Sequence, residues 1–90
     1  MSGWFVYLVE CVDGSLYAGI ATDVDRRYAQ HAAGTGARYT RSHPPRALVG
    51  RVALADRSAA LKAEHALRKL SPAGKRAWIA ANATKVPQPA

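Results

Sequence analysis

Five side chains in this 90-residue chain are of the types that move protons or hold anions: Tyr7, Tyr17, Arg27, His31 and Glu64. Phenol and imidazole each donate and accept, a guanidinium is a charged fork that matches phosphate oxygens, and a carboxylate is an anionic ligand. The spacing makes the set worth following. Tyr7 and Tyr17 lie on two apolar runs that flank Asp13-Gly14, and Arg27 and His31 follow, four residues apart. Glu64 is the only acid after Asp56; surrounded by cations, its carboxylate stays ionised. Each residue also has an ordinary reading. Tyrosine is common on half-buried strands, an arginine beside an apolar stripe usually snorkels, a lone histidine there is more often a satisfied core group, and Glu64 is placed to pair with Arg68 one helical turn on.

The elements that carry these residues decide whether they meet. Trp4 to Cys11 and Leu16 to Ile20 are rich in aromatic and β-branched residues, and Asp13-Gly14 between them predicts a hairpin. A two-residue loop would pair residues whose numbers sum to 27 and put the tyrosines on opposite faces. A three-residue loop, Val12-Asp13-Gly14 with a left-handed Gly14, gives sums of 26. Tyr7 then faces Gly19, Tyr17 faces Val9, and the phenols sit diagonally on one face, about 7–8 Å apart. The three-residue loop is the expected one. A helix should start at Thr22 or Asp23, with Thr22-x-x-Asp25 as a capping box, Val24, Tyr28 and Ala32 as its apolar stripe, Arg27 and His31 beside it, and Gly34 and Gly36 as its end. Residues 34–45 read as a basic loop in which Arg38, Tyr39 and Arg41 suit phosphate contacts and base or sugar stacking. A strand is expected from about Ala47 to Leu54. A second helix, capped by Asp56 or Ser58, should run to Leu70 with Ala60, Ala63, Ala66, Leu67 and Leu70 inward, and Ser71-Pro72 should open a short helix with Lys75, Trp78 and Ile79.

Ninety residues suit one small domain. No window approaches the roughly 18 apolar residues of a membrane span, and no basic amphipathic helix suggests a membrane surface. Cys11 is the only cysteine, so no internal disulfide or cysteine-built zinc site can form; it reads as a small strand residue in a reducing compartment, with the cytoplasm as default. Charge is unevenly spread. Residues 1–25 hold four acids and no lysine or arginine, whereas residues 26–90 hold all 13 basic residues and two acids. A polyanionic partner follows from that asymmetry.

Val6-Tyr7 and Tyr17-Ala18-Gly19 resemble the two halves of the GIY-YIG nuclease signature, with Phe5, Val6 and Ala18 replacing its first glycine and two isoleucines. Tyr17, Arg27 and His31 match the family's catalytic arginine, placed about ten residues after the second tyrosine, with a histidine one turn later. Glu64 matches the single glutamate that holds a divalent metal on a helix packed against the sheet. Larger members often place an asparagine after that glutamate; the only one here, Asn82, comes too late to carry over. The resemblance covers residue 4 to about residue 80. It implies an α+β fold, a three-stranded antiparallel sheet made of the N-terminal hairpin plus one strand, flanked by about three helices, over residues 1–83 ahead of a disordered tail at 84–90. It implies a metal-dependent nuclease that hydrolyses phosphodiester bonds in DNA, branched or single-stranded or with weak specificity. One Mg²⁺ or Mn²⁺ would sit on Glu64, and Arg27 would bridge phosphate oxygens. Tyr7 would serve as general base or relay, its pKa lowered from about 10 by Arg27 or the metal. Tyr17 and His31 would orient water and proton transfers, and Gly19 would leave room beside the strand. Nucleic-acid contacts are expected from Arg38, Tyr39, Arg41, Arg68, Lys69 and Lys75. DNA is the expected partner ahead of RNA, with no membrane and a monomeric protein, leaving room for a larger partner protein that supplies targeting. Two other classes stay open: a binding module with the same basic face and little activity, and a basic structural or ribosome-associated RNA-binding protein.

Overall fold

The computed structural model describes residues 3–83; the expected tail at 84–90 lies outside them. Strand β1 (Trp4–Cys11) and strand β2 (Leu16–Ala21) form the hairpin. The turn between them is the three-residue one. The Cys11 N–H donates to the Ser15 carbonyl at 2.8 Å and the Gly14 N–H to the Cys11 carbonyl at 2.9 Å. Gly14 has φ +86°, a backbone region that costs a glycine nothing. The Asp13 carboxylate accepts from the Ser15 N–H at 3.0 Å and hydroxyl at 2.6 Å, which pins the bend. Tyr7 therefore stands opposite Gly19 and Tyr17 opposite Val9.

Strand β3 (Pro45–Leu54) pairs antiparallel with β1, giving the order β2-β1-β3 with β1 in the centre. It begins two residues before the expected Ala47, with Pro45 at its first position, where no ladder donor is required. The register shifts between Leu8 and Val9, which stand opposite Gly50 and Leu48. Val49 is the extra residue of a bulge. Val49 therefore packs with the face that holds Val52, three residues on, and Leu48 with the other, whereas a plain alternation would put Val49 and Val52 on opposite faces.

Helices cover both faces. Helix α1 (Val24–Ala32) is capped by the Asp23 carboxylate, which accepts from the Arg26 N–H at 3.0 Å. The expected Thr22–Asp25 box is not used; Asp25 pairs with Arg51 across to β3 at 2.8 Å. Val24 is buried and Tyr28 half-buried, but Ala32 is exposed, and His31 takes the inward position. Within the expected basic loop a short helix α2 (Arg38–Ser42) forms. Helix α3 (Arg57–Arg68) is capped by Asp56, accepting from the Ala59 N–H at 2.8 Å, and helix α4 (Pro72–Asn82) by Ser71. Ala60 and Leu67 of α3 are buried and Ala63 partly so, while Ala66 and Leu70 are exposed, since the helix ends two residues early and rolls its apolar stripe toward Ala60 and Leu67. Asn82 donates to the Trp78 carbonyl at 2.9 Å, within its own helix.

Two apolar layers result. Val6, Leu8, Leu16, Ala18 and Val52 pack against Leu67 of α3 and Ile79 of α4. On the opposite face Tyr7, Val9 and Val24 pack with Phe5, Tyr17, Tyr28 and Leu48. The first layer is built of aliphatic side chains, each worth about 1.5–3 kcal/mol when fully buried. The second is aromatic and polar at its heart. No helix among the described residues is long and apolar enough to cross a membrane.

Candidate active site

The tyrosine face is organised by one close approach. A Cβ on Gly19 would lie 2.5 Å from Tyr7 Oη and 2.6 Å from Tyr7 Cζ. The Tyr7 ring therefore lies flat over Gly19, and the room that glycine leaves is filled by the phenol itself rather than by a visitor. From there the Tyr7 hydroxyl reaches His31 Nε2 at 2.7 Å. His31 Nδ1 lies 2.7 Å from Thr40 Oγ1, whose proton goes to the Ala37 carbonyl at 2.9 Å. A carbonyl only accepts, so Thr40 Oγ1, donating to Ala37, is left to accept from Nδ1; the Ala37 N–H also points at Nδ1 but from 3.4 Å, and the 2.7 Å Thr40 contact sets the direction. Thr40 donates to Ala37 and accepts from Nδ1–H; Nε2 is then bare and accepts from Tyr7. This assigns the tautomer of His31 from its partners. All three side chains are buried.

Thr40 is the residue the sequence did not single out for this site. It falls in the stretch expected to be a basic loop, yet it is 1% exposed and faces His31. Only α2 brings it there, and α2 has too few residues to show a helical apolar period. Tyr17 meets His31 edge-on, with ring centroids 5.3 Å apart, and Tyr7 at 6.4 Å. Tyr39 stacks on Tyr17 at 5.6 Å and on His43 at 4.2 Å. Tyr39 is thus the middle ring of a stack and has neither face to spare for a base.

Burial sets the protonation states. His31 is held below its ordinary 6.5, first by desolvation and then by the Arg27 charge, so it is neutral at pH 7. Tyr7 is pushed up to about 12, first by burial and then by the Tyr17 phenol; Arg27 pulls it back and Glu64 adds to the rise. The expected lowering of Tyr7 by Arg27 is outweighed by burial. Arg27 is half-buried, its guanidinium held by Gln30 Oε1 at 2.9 Å. It opens with Arg26 and Gln30 on a hollow of about 290 Å³ beside the end of β2.

Glu64 comes from the other layer. Helix α3 packs on the aliphatic face of β1 and β2, but Glu64 lies on its flank, near enough for its charge to oppose ionisation of Tyr7. Arg68 Nη2 lies 3.3 Å from Glu64 Oε2 and 3.5 Å from the Ala18 carbonyl, so the pair sits at the β2 edge. Glu64 and Arg68 line, with Leu61, Lys62, His65 and Lys69, a groove of about 590 Å³ along α3. Arg38 and Arg41 are exposed on α2, while Lys75 lies on α4, which packs toward β3, away from this edge. Among the described residues no three His, Cys, Asp or Glu side chains gather as a metal cage. A lone carboxylate, 17% exposed, suits a hard divalent ion that keeps most of its own waters.

This geometry has counterparts. A family model described as the GIY-YIG catalytic domain matches residues 3–77. A UPF0213 protein of Cupriavidus pinatubonensis is 54% identical over 77 residues, covering 86% of this chain and 86% of its own. A UPF0213 protein of Desulfotalea psychrophila is 50% identical over 80 residues, covering 88% and 73%. Among solved structures, an NMR structure of a protein from E. faecalis superposes with a TM-score of 0.60 at 36% identity, covering 90% of this chain and 85% of that one. An NMR structure of a UPF0213 protein from Bacillus halodurans does so with a TM-score of 0.54 at 40% identity, covering 88% and 84%. The matched family is a catalytic one, which implies nuclease-type activity. With paired tyrosines over Gly19, an arginine and histidine on the next helix and a match spanning most of its length, the chain belongs to the GIY-YIG family.

Proposed function

We propose that this protein is a divalent-metal-dependent endonuclease that hydrolyses phosphodiester bonds in DNA, acting on branched or single-stranded substrates or with weak specificity. The observation that carries the reading is the directed hydrogen-bond chain from Tyr7 through His31 and Thr40 to the Ala37 carbonyl, beside Arg27 and within the field of Glu64. Hydrolysis needs a deprotonated water, neutralised phosphate oxygens and a stabilised leaving oxygen. Tyr7 cannot be a free phenolate at neutral pH, with its pKa at about 12. It works instead as a relay. As water attacks phosphorus, its proton passes to Tyr7 Oη while the Tyr7 proton passes to His31 Nε2. The resulting imidazolium keeps its Nδ1–H on Thr40. Arg27, held by Gln30, bridges phosphate oxygens in its fork geometry. Tyr17, edge-on to His31, holds the relay in place and orients water. Glu64 would hold one Mg²⁺ or Mn²⁺, which when bound supplies Lewis-acid stabilisation of the phosphate and the leaving oxygen.

Arg68 competes for Glu64 through a partly exposed pair, a contact of the kind worth about 0–1 kcal/mol. So weakly held, Glu64 would be available to a divalent ion, and Arg68 would then be free for a neighbouring phosphate. Arg38, Arg41, Arg68 and Lys69 then form the basic approach to the site. The test is incubation of purified protein with labelled branched, single-stranded and duplex DNA in Mg²⁺, Mn²⁺ or chelator. Cleavage that needs the metal supports the reading. Binding to all three without cleavage would instead leave a nucleic-acid-binding module on the same fold.

A further inference from the structure

Three rings stand in a row from the site to the surface. Tyr17, edge-on to His31, is stacked on Tyr39, and Tyr39 on His43, the last pair with centroids 4.2 Å apart and planes 11° apart. His43 is held in that pose from two sides. Its Nδ1 lies 3.0 Å from the Tyr39 carbonyl and its Nε2 3.7 Å from Asp13 Oδ2 at the hairpin tip. The tip is fastened to the same segment by the Val12 N–H, which donates to the Pro44 carbonyl at 2.9 Å. The imidazole edges and one face are therefore engaged, yet the side chain remains 37% exposed. Val12, 59% exposed, adds an apolar surface from the same tip.

We propose that the outer face of the His43 ring is the docking platform for one unpaired nucleobase of the DNA strand that is cut. The proposal rests on the nuclease reading and gives that site its substrate class. An aromatic ring held at one edge by a hydrogen bond to the Tyr39 carbonyl and lying near the Asp13 carboxylate at the other, just past the helix that carries the exposed Arg38 and Arg41, offers stacking together with backbone charge, the combination that binds single strands. Every base has a π-face, so the platform is indifferent to sequence. A base inside a duplex has both faces covered by its neighbours and cannot use it. A base at a branch, a gap or a free end can. Because the stack continues inward to Tyr17, a base seated on His43 sets the register of the strand, so that a phosphate further along it meets Tyr7 and Arg27.

The experiment measures binding of the full chain, in chelator so that no strand is cut, to a single-stranded oligonucleotide carrying 2-aminopurine and to the duplex of the same sequence. His43→Ala should weaken single-strand binding about tenfold and abolish the quenching of 2-aminopurine, leaving duplex binding unchanged. His43→Phe, which keeps a stacking face, should retain both affinity and quenching and shows that the fold tolerates the position. Single-strand binding unchanged in His43→Ala, equal losses for both DNAs, or a His43→Phe protein that behaves like His43→Ala would each overturn the platform and leave the nuclease reading standing. Wild-type protein that binds neither DNA would overturn both.

Discussion

Tyr7, His31 and Thr40 form a sequence of donors whose polarity is set by the Ala37 carbonyl. Removing the Thr40 hydroxyl leaves the buried Nδ1–H without its acceptor, a loss of about 1–3 kcal/mol. Thr40→Val should therefore lower the unfolding free energy measured in urea by that amount and slow cleavage, whereas Thr40→Ser should restore both. The protonation states give a second expectation. Folding holds His31 below its ordinary 6.5. As pH falls through about 6.5 the unfolded chain takes up a proton that the folded chain does not, so the stability His31 contributes is complete above that pH and is lost as pH falls through its folded value. Cleavage should follow the same acid limb, since protonated Nε2 cannot accept from Tyr7. With Tyr7 at about 12, its ionisation should produce no alkaline limb below pH 10. A rate that shows no acid limb at any pH below 6.5 where the protein stays folded would remove His31 from the proton path.

At the scale of elements, the aliphatic layer holds the sheet and the aromatic layer holds the site. Leu67 is fully buried between α3 and the sheet, so Leu67→Ala should cost about 2–5 kcal/mol in a denaturant melt. The same change in the half-exposed Leu61 should cost far less. The hairpin, its register and the caps at Asp56 and Ser71 were legible in the chain, because turn chemistry and parity are local and side-chain caps are read over three or four residues. Helix α2 was not. Its five residues, Arg38 to Ser42, carry no apolar repeat, and what fixes them is tertiary: Thr40 on His31 and Tyr39 between two rings. The bulge at Val49 was hidden for a similar reason, since only pairing with β1 reveals that Val49 and Val52, three residues apart, face the same layer and Leu48 the other. Tyr7, Tyr17, Arg27 and His31 could be picked out from spacing; that burial would raise Tyr7 rather than Arg27 lower it could not, because desolvation is a property of the packed layer.

For the whole molecule, the acidic N-terminal quarter is folded onto the basic remainder. Asp25 pairs with Arg51 and Glu10 with Arg76, Glu64 pairs with Arg68 within the basic part, and Arg38 and Arg41 stay exposed on the helix that carries Tyr39 of the ring stack. Binding should be electrostatic, each phosphate contact adding about 0.7–0.9 to the slope of log K against log salt. Arg38→Ala and Arg41→Ala should each lower that slope by about one such step; a slope untouched by both would take α2 out of the interface. The claim that this basic face serves a metal-dependent cut, rather than binding alone, turns on Glu64. Glu64→Gln keeps the shape of the side chain and removes its charge. With cleavage and DNA affinity measured on the one variant in Mg²⁺, the account predicts a rate lower by orders of magnitude, together with an affinity that holds or rises as a repulsive carboxylate leaves a phosphate site. Full cleavage by Glu64→Gln, with only the small stability loss of a broken Arg68 pair, would contradict it.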